Sequence, residues 1–167
     1  MLSQSQTLTS PAVASRPRNI SHIAIGVSDM EAALRFYRDV IGLTVSVDHI
    51  EDFPAPGFQT YRRGVYLRWS AGDHEPFLVL DQTLDPRASR GEAKRMFDIG
   101  LHHFGFWVDD LDAVVERARA AGFEAILEPQ DSDTVNYGEP AGRVIRLCLL
   151  KDPDGNVVQL DQRVDPR

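Results

Sequence analysis

Two of the five histidines in this 167-residue chain stand at the head of the same pattern. His22 opens HIAIGVSDMEAALRFYRDVIGL, and His103 opens HFGFWVDDLDAVVERARAAGF. Val27 then matches Val108, Asp29 matches Asp110, Met30 matches Leu111, Glu31 matches Asp112 and Ala32 matches Ala113. An imidazole in an otherwise apolar strand needs a polar partner or a metal. The same residue at the same place in two halves of one chain argues for one shared role. A second matched pair follows: Phe77–Gln82 (FLVLDQ) aligns with Val157–Gln162 (VVQLDQ). Strand alternation puts Val79 with Asp81 on one face and Gln159 with Asp161 on the corresponding face. If those faces meet, His22, His103, Gln159, Asp81 and Asp161 form one polar cluster. Two imidazoles with oxygen donors and open positions suit a catalytic divalent metal. The competing reading is a hydrogen-bonded core histidine in each half, left by duplication. His102 alternates with His103 and is expected to point away from it, and Trp107 is expected to pack on the outer face.

The elements that must position these residues are legible in the pattern. Ser28 with Glu31 has the form of a capping box, and Asp109 is expected to cap the second helix. Ala33, Leu34, Tyr37 and Ile41 form one apolar stripe near the helical period, and Leu111, Val114, Val115 and Ala118 form another. Gly42 and Gly122 end the two helices. Three strands are expected after each helix. They lie at about Leu43–Ile50, Thr60–Trp69 and Pro76–Gln82, then at about Phe123–Glu128, Arg143–Lys151 and Asn156–Gln162. Asp152-Pro153-Asp154-Gly155-Asn156 is a hairpin signal, and Ala71-Gly72-Asp73 serves similarly in the first half. Residues 19–82 thus form one βαβββ module and 101–163 a second. The linker 83–100 is expected to carry a short helix around Glu92–Phe97. The fold class is α+β, with the two modules side by side as a curved eight-stranded cup and the helices outside.

Composition narrows the function classes. Apolar residues make up 43% of the chain, enough for a real core, and the net charge is −7. An acidic chain lacks the basic footprint of a nucleic-acid binder. No run approaches the length a membrane helix requires. The single Cys148 sits in the strand-like run RLCLL, reads as a packed thiol, and suits a reducing cytoplasm. Residues 1–18, rich in Ser, Thr, Gln, Ala and Pro, are expected to be a flexible tail outside the core. No phosphate-binding glycine loop, nucleophile elbow or zinc-ribbon cysteine pattern occurs.

From about Ile20 to Gln162 the sequence resembles the vicinal-oxygen-chelate superfamily of glyoxalases, extradiol dioxygenases and bleomycin-resistance proteins. The resemblance rests on Ser21-His22-Ile23-Ala24-Ile25, on Leu101-His102-His103-Phe104 and on DPDGNVVQLDQ at Asp152–Gln162. It implies a small-molecule site on the inner faces of the cup. It also implies metal ligands on the first and fourth strands of each module, which here are His22, Val79, His103 and Gln159. Val79 cannot ligate, and Gln159 is a neutral carbonyl donor where the family has Glu. The implied ion is divalent: iron, manganese, nickel or zinc. Asp161 or Asp81 would move the proton, and the loop Asn136-Tyr137-Gly138-Glu139 would bring Tyr137 or Glu139 to the substrate. The implied activity is that of a metal-dependent, glyoxalase-like lyase or isomerase chelating a small oxygenated substrate. The alternatives are an extradiol-type Fe(II) ring-cleaving dioxygenase and a metal-free binding protein of the bleomycin-resistance kind. A homodimer is a further expectation from the family.

Overall fold

Eight strands divide into two open four-stranded sheets, each built from one half of the chain. The computed structural model describes residues 19–55, 58–72, 74–87 and 91–164, with the backbone alone for 53–55 and 58–60. The expected tail 1–18 and Asp73 of the first turn lie outside the described residues. The first sheet has β1 (His22–Gly26), β2 (Thr44–Ala55), β3 (Phe58–Arg68) and β4 (Phe77–Thr83), in the order β1-β4-β3-β2. The second has β5 (Phe104–Trp107), β6 (Ala125–Asp133), β7 (Val144–Lys151) and β8 (Val157–Arg163), in the equivalent order β5-β8-β7-β6. In each sheet the first strand runs parallel to the last, and the other pairs are antiparallel.

A helix follows the first strand of each half. Both are capped one residue later than Ser28 and Asp109 suggest: Asp29 accepts from Ala32 N–H and Asp110 from Ala113 N–H, each at 3.0 Å. The two aspartates are themselves the matched pair of the repeat. Helix α1 (Met30–Leu34) passes into a π-helical stretch, Arg35–Val40, while α2 (Leu111–Ala120) stays α-helical. Gly42 and Gly122 close them with φ of 95° and 85°, where a side chain would be strained. The predicted stripes are buried in both helices. No helix forms around Glu92–Phe97; the stretch is irregular, with a turn at Met96–Phe97.

One buried cluster joins the two halves, running from Ile25 and Leu80 through Phe36 and Tyr37 to Val115, Cys148 and Leu160. Phe36 meets Phe123 edge to face with ring centres 5.0 Å apart. The Asp152 hairpin adds a polar lock. Buried Asp152 accepts from the Tyr37 hydroxyl at 2.9 Å and from the N–H groups of Asp154 and Asn156, while Asp154 accepts from Ser28 N–H at 3.0 Å. The turn signal near the C-terminus therefore ties the second sheet to the first helix, and the orientation of the two sheets depends on it. Among the described residues no helix is long and apolar enough to cross a membrane.

Candidate functional site

Register decides which side chains share a face. On β1 and β4, His22 pairs with Phe77, Ala24 with Val79 and Gly26 with Asp81, while Ile25, Leu78 and Leu80 turn into the core. On β5 and β8, Gly105 pairs with Gln159 and Trp107 with Asp161. Paired residues project to the same side, so Gln159, Asp161 and Trp107 share one face of the second sheet. This corrects the expected outer-face packing of Trp107: it is 57% exposed, and its ring lies 6.0 Å from that of Tyr137.

The second sheet carries a tight polar constellation. A 3-10 turn at Thr134–Tyr137 is capped by Asp133, which accepts from Val135 N–H, and it ends at left-handed Gly138. That turn delivers the Tyr137 hydroxyl to Asp161, donating to Oδ1 at 2.7 Å. Gln159 Nε2 donates to the same oxygen at 2.8 Å. Asp161 is only 8% exposed. Burial, and then the Asp161 carboxylate, push the Tyr137 phenol well above its ordinary range, so it is a proton donor in this setting. Asp161 Oδ1 takes both donors, and Oδ2 has no hydrogen-bond partner among the described residues. Gly105 makes room for it, since a Cβ there would stand 3.3 Å from Oδ2. Glu139 reaches the same face indirectly. It pairs with Arg163 at 3.0 Å, and that guanidinium lies 5.0 Å above the Trp107 ring.

The first sheet carries a different group. One ring from each strand forms a row across the face. His22 stacks on Phe77 at 5.2 Å, Phe77 on Tyr66 at 5.5 Å, and Tyr66 meets His49 at 5.6 Å. Beside the row, Arg62 joins Asp81 to Glu51, and His49 lies 3.0 Å from Glu51. Burial raises the Asp81 carboxyl above its usual range, and the Arg62 charge works against that rise. Asp81 is thus held in an ion pair, unlike its counterpart Asp161. The Arg62–Glu51–His49 network is absent from the sequence-based candidates. Its signal was the cross-strand spacing of Glu51 and Arg62, invisible until the β2–β3 register is known.

Each matched histidine has one ring nitrogen engaged by a neighbour: His22 Nδ1 lies 3.0 Å from Ser21 Oγ, and His103 Nδ1 lies 2.8 Å from His102 Nδ1. The expectation that His102 points away fails because residues 101–103 precede β5 and do not alternate as a strand. Among the described residues no three of His, Cys, Asp and Glu converge closely enough to hold a metal ion. The donor atoms nonetheless suit one chemically. Nε2 of both imidazoles is free of the contacts just given, and the Gln159 amide, tied through its nitrogen to Asp161, keeps its oxygen for another partner. The pattern of one held nitrogen per ring is that of oriented ligand histidines. Val79, buried and aliphatic, supplies no fourth donor.

Residues 19–160 match the model of the glyoxalase/bleomycin resistance protein/dioxygenase superfamily. The chain belongs to that superfamily. It is 25% identical over 146 residues to a probable chloroplastic lactoylglutathione lyase of Arabidopsis thaliana, matching 87% of this chain and 36% of that protein. The chain thus spans about a third of that plant relative's length. A probable lactoylglutathione lyase of Vibrio parahaemolyticus is 24% identical over 147 residues, covering 86% of this chain and 89% of that one. Among solved structures, a glyoxalase family protein from Bacillus cereus superposes with a TM-score of 0.70 at 17% identity, over 93% of this chain and all of that one. That likeness shows the fold.

Proposed function

We propose that this superfamily member is a glyoxalase-like lyase or isomerase acting on a small oxygenated substrate, with Asp161 as its proton acceptor. The observation that carries the reading is the Tyr137–Asp161–Gln159 constellation. A nearly buried carboxylate has one oxygen fixed by two donors and the other open, at the strand position where the repeat places chemistry. Such a carboxylate is positioned for general-base work on a carbon acid, and Tyr137 keeps it oriented. His22, His103 and the Gln159 oxygen are the residues that would hold a divalent ion. Iron, manganese, nickel or zinc bound there would supply Lewis-acid polarisation of two adjacent substrate oxygens. Gln159 holds Asp161 through its nitrogen, so any ligand of its oxygen is coupled to the base.

The names of the curated relatives point to the first assay, interconversion of lactoylglutathione. Chelator-sensitive turnover, lost in Asp161→Asn with folding intact, supports the reading; full turnover in Asp161→Asn overturns it. A second reading is supported by Val79 and by the neutral amide of Gln159: a metal-free protein that binds a small molecule. Ligand binding indifferent to chelator, with no turnover, favours that one. Dioxygen uptake with catechols under Fe(II) would instead move the assignment to ring cleavage.

A further inference from the structure

A pocket of about 450 Å³ opens beside His22, lined by Asn19, Ser21, Arg68, His74, Glu75 and Phe77. It adjoins the candidate site directly, since Ser21 Oγ holds the His22 ring and Phe77 stacks on it. Arg68 is the feature that needs explaining. Arg62, three pleat repeats earlier on the same face, is paired to two carboxylates. Arg68 has no carboxylate partner among the described residues. Its guanidinium lies over the Phe77 ring at 4.7 Å and gives one long bond, 3.4 Å, to the Glu75 carbonyl. A guanidinium stacked on a ring keeps its N–H fork in the plane of the group, ready for a bidentate acceptor. His74 faces the same space from a left-handed backbone (φ 65°). Ser21 and Asn19 add small hydrogen-bonding groups, and Phe77 gives the pocket an apolar wall.

We propose that this pocket takes the carboxylate of the substrate, held by the Arg68 fork, and that the substrate is a small carboxylic acid. The carboxylate sits at Arg68, which leaves the remainder of the molecule beside His22. The inference rests on the reading that this face binds the substrate, but it concerns binding alone and needs neither metal nor turnover.

Calorimetric titration of the chelator-treated chain with benzoate tests it, with benzamide and inorganic phosphate as comparison probes. Benzoate is expected to bind, and benzamide and phosphate each to bind about tenfold more weakly or worse. Arg68→Gln is expected to weaken benzoate by about tenfold or more and Arg68→Lys by less, because lysine keeps the charge and loses the fork. Arg87→Ala, at an exposed arginine far along the chain, should leave binding unchanged. Unaltered melting of each variant checks folding. No benzoate binding, equal binding of benzamide, or equal weakening by Arg87→Ala overturns the proposal. Arg68-dependent benzoate binding in a protein without turnover would leave the carboxylate site standing while the enzyme reading falls. Turnover with benzoate binding indifferent to Arg68 would do the reverse.

Discussion

At the scale of the residue, the account turns on what each polar side chain is bonded to. Asp81 and Asp161 occupy matching positions, yet one is held by a guanidinium and the other by neutral donors. Both have Oδ1 engaged; at Asp161 it takes two donors, and Oδ2 is the oxygen proposed for proton transfer. Tyr137→Phe is therefore expected to cut turnover by about tenfold to a hundredfold and to lower unfolding free energy in urea by about 1–3 kcal/mol, since it removes a bond to a nearly buried carboxylate. Gly105→Ala should leave melting close to that of the parent and still lose activity, because the added methyl crowds Asp161 Oδ2 at 3.3 Å. Cys148 is fully buried, and burial pushes its thiol up to about 11. A thiol reagent at about pH 8 should modify it only after unfolding, and rapid modification of native protein would contradict the packing. The repeat alone exposed His22, His103, Gln159 and Asp161, because matched positions need no register. The pairings of Arg62, Glu51 and Arg68 were not legible, because their partners lie on other segments of the chain.

At the scale of the element, the expected strands and the two capped helices form, the short helix expected around Glu92–Phe97 does not, and the remaining differences have local causes. Strand β2 runs on through Pro54, which pairs with Gln59, and β6 runs through Pro129. Both prolines lie on edge strands, where a missing N–H breaks no internal ladder, and Pro129 falls in the register shift between Leu127 and Gln130. The caps fall at Asp29 and Asp110, one residue past Ser28 and Asp109, because Asp29 and Asp110 each accept from an N–H of the first turn. Asp29→Ala and Asp110→Ala should each cost about 1 kcal/mol in urea unfolding, against less than about 0.5 kcal/mol for Asp109→Ala.

At the scale of the whole molecule, the two sheets are held in place by a shared core and by the Asp152 hairpin. Tyr37→Phe should destabilise the chain by about 1–2 kcal/mol, since it removes a donor from a buried carboxylate across the two halves. That long-range bond joins residues 115 apart in sequence, and no local pattern announces it. The central claim is that the matched histidines, with Gln159, hold a divalent ion beside the Asp161 base. The most direct measurement is metal content per chain in untagged protein purified without chelator, alongside His22→Ala and His103→Ala. The account predicts near-stoichiometric iron, manganese, nickel or zinc in the parent and loss of it in both variants. Parent protein that stays metal-free after anaerobic reconstitution, or variants that keep the parent's metal, would contradict it.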